Sequence, residues 1–95
     1  MATYISLLNF TEQGAREIKD SPTRAEAFDE AAVASGVTIV GQYWTIGSYD
    51  GLLIVSADNE NQVLRWLADL VAAGNVRTET LRAFDGKEFR EILSA

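Results

Sequence analysis

The sequence predicts an α+β domain whose elements run strand, helix, strand, strand, helix, strand, with a short helix at the C-terminal end. Three observations carry this. β-branched and aromatic runs too short for helices alternate with longer stretches in which apolar residues recur at three- and four-residue steps. Glycine, proline and capping residues fall at the junctions between them. Apolar residues at 47% and charged residues at 23% of 95 positions give the balance of one folded domain spanning residues 1–95. A chain of that size buries roughly 60–65% of the surface its unfolded form exposes, so its core has little to spare.

Tyr4, Ile5, Leu7, Leu8 and Phe10 make the first strand, Thr3 to Phe10. Thr11 is placed to cap a helix whose first turn carries Glu12, an acid that suits the positive end of the helix dipole. Pro22 then forces a kink or restart, and Ser21 before it is a good N-cap. Ala15, Ile18, Ala25, Phe28 and Ala32 share roughly one face, which is directed at the sheet. Gly36 stops the helix, and Val37 to Thr45 reads as strand two. Gly47-Ser48-Tyr49-Asp50-Gly51 supplies turn chemistry, so strand three, Leu52 to Ser56, closes a hairpin with strand two. Asp58 caps the next helix, whose stripe of Val63, Leu64, Trp66, Leu67, Leu70 and Val71 ends at Gly74. Val76 to Ala83 is the fourth strand. Asp85-Gly86-Lys87-Glu88 has the spacing of a capping box, and Phe89, Ile92 and Leu93 give the last helix an apolar side.

This order is the split βαβ pattern of the ferredoxin-like βαββαβ fold: a four-stranded antiparallel sheet with strands one and three central and both main helices on one face. The other face has no cover, yet strands one, two and three are apolar at both parities, as in Ile5 and Leu7 against Tyr4 and Leu8, Leu53 and Val55 against Leu52 and Ile54. A half-solvated sheet alternates more cleanly. An open side carrying Tyr4, Leu8, Ile39, Tyr43 and Ile54 exceeds what a soluble monomer usually tolerates, and pairing with a second copy covers it. Removing about 500 Å² per subunit from water is worth on the order of 12 kcal/mol gross, before association costs.

Several function classes fall on composition. The chain has no histidine, hence no imidazole base and none of the commonest transition-metal ligand, and no cysteine for a thiolate nucleophile or metal site. Asp58, Glu60 and Asp69 are not spaced as a cation cage, and Gly47 and Gly51 lack the spacing of a phosphate loop. Neither a metal nor a cofactor is expected. A net charge of −6, from eight basic and fourteen acidic residues, repels nucleic acid and anionic membrane surfaces. The start, Met1-Ala2-Thr3-Tyr4-Ile5, lacks a secretory pattern, and no apolar run approaches the ~20 residues that span a bilayer. A cytoplasmic location is expected.

Tyr4-Ile5-Ser6-Leu7, Phe10-Thr11-Glu12-Gln13-Gly14, Ile18-Lys19-Asp20-Ser21-Pro22, Tyr43-Trp44-Thr45, Gly47-Ser48-Tyr49-Asp50 and Gly74-Asn75-Val76-Arg77-Thr78-Glu79-Thr80 resemble the GYD-domain family over almost the whole chain. The family's Gly-Tyr-Asp motif appears here as Gly-x-Tyr-Asp, because Ser48 separates Gly47 from Tyr49. The resemblance implies a dimeric α/β barrel in which two ferredoxin-like sheets face each other. It implies no activity: the wider superfamily includes cofactor-free monooxygenases, isomerases, haem enzymes and small-molecule sensors, and fold analogy does not choose among them.

The candidate site residues are Asn9, Tyr43, Trp44, Tyr49, Asp50 and Arg77. Tyr49 and Asp50 offer a donor and an acceptor at a pocket rim; alternatively the loop glycine makes the turn and Asp50 accepts backbone N–H groups. Tyr43 and Trp44 are strand neighbours, so only one can line a given cavity. Arg77 and Glu79, on the same strand face, make a surface or inter-subunit ion pair, or Arg77 grips a carboxylate ligand at a cavity mouth. Two functions remain open. One is a non-catalytic homo-oligomer holding a small, partly apolar molecule between paired sheets. The other is a cofactor-independent monooxygenase or isomerase, with Tyr43, Trp44 or Asn9 as polar contacts and Asp50 as the base.

Overall fold

The computed structural model describes all residues from Met1 to Ala95. The elements are β1 (Ala2–Phe10), α1 (Glu12–Arg16), a 3₁₀ turn (Ile18–Asp20), α2 (Ser21–Ala34), β2 (Thr38–Trp44), β3 (Gly51–Ala57), α3 (Glu60–Ala72), β4 (Val76–Ala83) and α4 (Gly86–Ser94). The sheet runs β2-β3-β1-β4 with every neighbour antiparallel, the ferredoxin-like order expected, and α2 and α3 lie on one side of it.

Local chemistry accounts for most boundaries. The Thr11 hydroxyl accepts the Gly14 N–H at 3.1 Å and caps α1. The chain restarts at Pro22 as anticipated, but through a full 3₁₀ turn, and this breaks the helical phase. Ala25 and Phe28 are therefore half-buried and Ala32 fully buried, whereas Ala15 and Ile18, expected on the same face, are exposed. Ser21 is also not the cap; it is the first residue of α2, and its hydroxyl accepts the Trp44 indole N–H at 3.0 Å. α3 is capped by Asn59, not Asp58: Asn59 accepts the Gln62 N–H, and the Gln62 side chain accepts from both Asp58 and Asn59. Val63, Trp66 and Leu70 of α3 are buried, while Leu64 and Val71 point outward. The capping box at Asp85 and Glu88 forms as read. Gly36 and Gly74 end their helices at φ +80° and +82°, the left-handed region that favours glycine.

Register assigns the two sheet faces. Tyr4 lies opposite Val55, Ser6 opposite Leu53 and Leu8 opposite Gly51, all on the helix side. Ile5 opposite Ile54 and Leu7 opposite Leu52 form the other side. The outward set is thus corrected: Ile54 and Tyr43 stand on the open face, but Tyr4, Leu8 and Ile39 do not. A bulge at Val40 flips the parity of β2, so Ile39 pairs with Val55 toward the helices while Tyr43 pairs with Leu52 away from them. The core comprises Tyr4, Ala32, Val37, Leu53, Val55, Ala57, Val63, Trp66 and Leu70.

Candidate functional site

The open face has an apolar centre. Ile5, Leu7, Leu52 and Ile54 form two adjacent cross-strand pairs on the central strands, flanked by Leu81 on β4 and Tyr43 on β2. Gly41 lies opposite Ile54, and a methyl group there would come within 3.0 Å of the Tyr43 ring and 3.5 Å of Ile54, so the glycine gives the ring its seat. All four central residues are only half-buried, and no element of the chain lies over them.

One end of this face is polar. Asn9 pairs with Arg77 and Leu7 with Glu79 across β1 and β4. The Tyr49 hydroxyl, from the loop before β3, donates to the Glu79 carboxylate two strands away at 2.6 Å. That bond, with the carboxylate's charge, holds the Tyr49 phenol above its ordinary range. Within one chain Arg77 and Glu79 do not pair with each other; the chain's internal ion pairs are Arg16 with Glu12 and Arg82 with Glu88. Glu79 is spent on Tyr49, which leaves the Arg77 guanidinium exposed beside Asn9.

A second concavity lies on the opposite side of the sheet, between α2 and the β1 and β2 ends. It encloses about 70 Å³ and is lined by Leu8, Phe10, Phe28, Trp44, Leu53 and Leu70, with Arg24, Gln42, Asp50 and Asn75 as polar members. Gly51 opens it, since the missing side chain sits opposite both Leu8 and Trp44. Trp44 closes one wall through its bond to Ser21. Asp29, next to Phe28 on α2, has its carboxyl raised by burial, partly offset by a bond with Gln42.

The six candidates therefore divide. Asn9, Tyr49 and Arg77 edge the open face, and Trp44 and Asp50 line the helix-side cavity; Tyr43, on the open face by register, also borders that cavity, so the expectation that only one of these two strand neighbours lines a given cavity is corrected. Asp50 is held in place by backbone: its carboxylate accepts the Phe10 N–H at 2.9 Å, its N–H donates to Leu8, and its carbonyl accepts from Thr45. Arg24, Gln42 and Ser21 were not anticipated. For Arg24 the signal lies in the helical phase restarting at Pro22, which sets it one turn from Phe28 on the same side, whereas Gln42 lies on β2, where the bulge at Val40 decides which side it faces. Chemically, both sides can hold an apolar body with a few polar contacts, and no three metal-ligating side chains converge anywhere. No helix is long and apolar enough to cross a membrane.

A family model described as the GYD domain matches residues 4–93. The chain belongs to the GYD domain family. A protein of Thermus thermophilus named glutamine synthetase and cystathionine beta-lyase binding protein is 36% identical over 84 residues, covering 87% of this chain and 88% of its own. The crystal structure of TTHA0845, also from Thermus thermophilus, superposes with a TM-score of 0.59 at 23% identity, over 90% of this chain and 96% of that one. The crystal structure of FFRP-DM1 gives 0.56 at 20% identity, over 88% and 100%. At these identities the two structures speak for the fold. Within this GYD domain the signature residues act as a brace, in which Gly47 takes φ +128°, Tyr49 reaches Glu79 and Asp50 ties the loop to β1.

Proposed function

We propose that the chain is a non-catalytic, cytoplasmic binding protein that works as a homo-oligomer, two copies closing their open sheet faces on each other around a small, partly apolar molecule. The observation that carries this is the Ile5–Ile54 and Leu7–Leu52 quartet, set in the middle of a sheet whose helices shelter only the other side. Asn9, Tyr43, Tyr49 and Arg77 border that space and supply its polar contacts, with Arg77 able to meet a carboxylate. Asp50, the base that the catalytic alternative needs, lines the helix-side cavity on the opposite side of the sheet from this space, with one carboxylate oxygen already accepting the Phe10 N–H. Ile54→Lys tests the reading. A buried lysine with no partner is costly at such an interface, so light scattering should show the mass fall to that of one chain. An unchanged mass would remove the open face from the assembly.

A protein partner is the second reading. It is favoured by a relative, alike over nearly its whole length, named for binding two enzymes, and by Ile46, fully exposed at the tip of the β2–β3 loop. Calorimetric titration with purified glutamine synthetase or cystathionine beta-lyase checks it, and absence of heat with both would leave the first reading alone.

A further inference from the structure

A helix of nine residues does not hold in water by itself, since isolated helices below about 12–15 residues are marginal. α4 nevertheless has a complete capping box and an amphipathic pattern, and none of its residues is buried. Phe89, Ile92 and Leu93 lie on one side of it, 56%, 53% and 69% exposed, with Phe84 at its root 51% exposed. At roughly 200 Å² per large side chain, that stripe leaves on the order of 400 Å² of apolar surface in water. The root is braced: the Arg82 guanidinium stacks 4.2 Å from the Phe84 ring and meets Glu88 at 4.0 Å. The chain's radius of gyration is 14.1 Å, against about 12 Å for a compact chain of this length, as expected when a terminal helix stands away from the body.

The geometry points to α4 as an arm that docks on a second copy of this chain, its Phe89, Ile92 and Leu93 side packing at the border of that copy's open sheet face. A second copy is the occupant because of area. A standard stable interface buries about 800 Å² per partner. The α4 stripe supplies on the order of half of that, and the open face, where Ile5, Leu7, Leu52 and Ile54 are partly exposed and Tyr43 and Leu81 about half exposed, supplies on the order of 400 Å² and falls short by a similar margin. Together the two surfaces, both apolar and both uncovered in one chain, reach it. The inference rests on the self-pairing proposed above and adds a second contact to it.

The test uses the full-length chain carrying Phe89→Glu and Ile92→Glu. Sedimentation equilibrium should show the dimer dissociation constant raised at least about tenfold, with the far-UV circular dichroism of the sheet retained; a constant unchanged within about twofold overturns the proposal. Hydrogen exchange on the wild type gives a second readout that needs no variant. The α4 amides should be protected above the dissociation constant and exchange freely on dilution below it. Protection that ignores dilution would mean α4 folds back on its own chain, and overturns it too. Comparison with Ile54→Lys separates the two readings: dissociation there but not in the α4 variant sinks the arm alone, and the reverse sinks the face-to-face pairing alone.

Discussion

At Asp50 one carboxylate oxygen accepts the Phe10 N–H at 2.9 Å while the residue's own N–H and carbonyl bond Leu8 and Thr45, so a single side chain joins the loop to the end of β1. Asp50→Ala removes a charge-assisted bond and leaves a part-buried N–H unpaired. The expected loss is about 2 kcal/mol, read from the urea midpoint, with Asp50→Asn losing less because an acceptor remains. Asp29 gives a pH dependence. Burial raises its carboxyl above the usual carboxylate range, so the folded chain binds that proton more tightly than the unfolded chain does. Its contribution to stability is fully present below the ordinary value of 3.8 and is lost as pH rises through the raised one. Asp29→Asn should therefore stabilise the chain at neutral pH, by at most about 0.5 kcal/mol because water screens most of the group. The gain should vanish in thermal melts run well below that range. Some of this was legible in the sequence. That Tyr43 and Trp44 oppose each other followed from strand geometry alone, but which faces the helices depended on the bulge at Val40, and an extra residue in a strand leaves no mark in a period-two pattern.

The helices show a similar division between what pattern reveals and what contact decides. Gly36, Gly74 and the Asp85 box marked their helix ends plainly, because capping and left-handed turns are local chemistry. Asp58 and Asn59 are adjacent and equally capable caps, and the Gln62 side chain that selects Asn59 acts only once the turn has formed. α1 offers the clearest test. A Cβ at Gly14 would run into the backbone carbonyl of Asn75, the same carbonyl that accepts the Thr11 N–H at 3.0 Å. The Thr11 hydroxyl donates to Gly74, and the Gln13 amide donates to Ala73 and Asn75. These bonds clasp the start of α1 to the loop before β4. Gly14→Ala should cost about 2–3 kcal/mol by overpacking that clasp, whereas Gly86→Ala, with open space around it, should leave the melting temperature nearly unchanged.

Taken whole, the molecule buries only 13 of its 95 residues, and Trp66, the largest of them, keeps an indole N–H with no partner. A core that small leaves little margin; of the apolar side chains it omits, Tyr43 and Leu81 join the partly exposed Ile5, Leu7, Leu52 and Ile54 on the open sheet face and Phe84, Phe89, Ile92 and Leu93 cluster at α4, while others such as Ile18, Val33, Ile46 and Leu64 are scattered. The sequence already showed the first of these, since β1 and β3 are oily at both parities; it could not show which parity each strand turns outward, because alternation carries no signal when both sets are apolar. Register settles it in favour of Ile5, Leu7, Leu52 and Ile54. The most direct test is the molar mass of the unmodified chain by sedimentation equilibrium at low micromolar concentration. The account predicts twice the mass of one chain or a higher multiple. A single-chain mass that persists as concentration rises would contradict it.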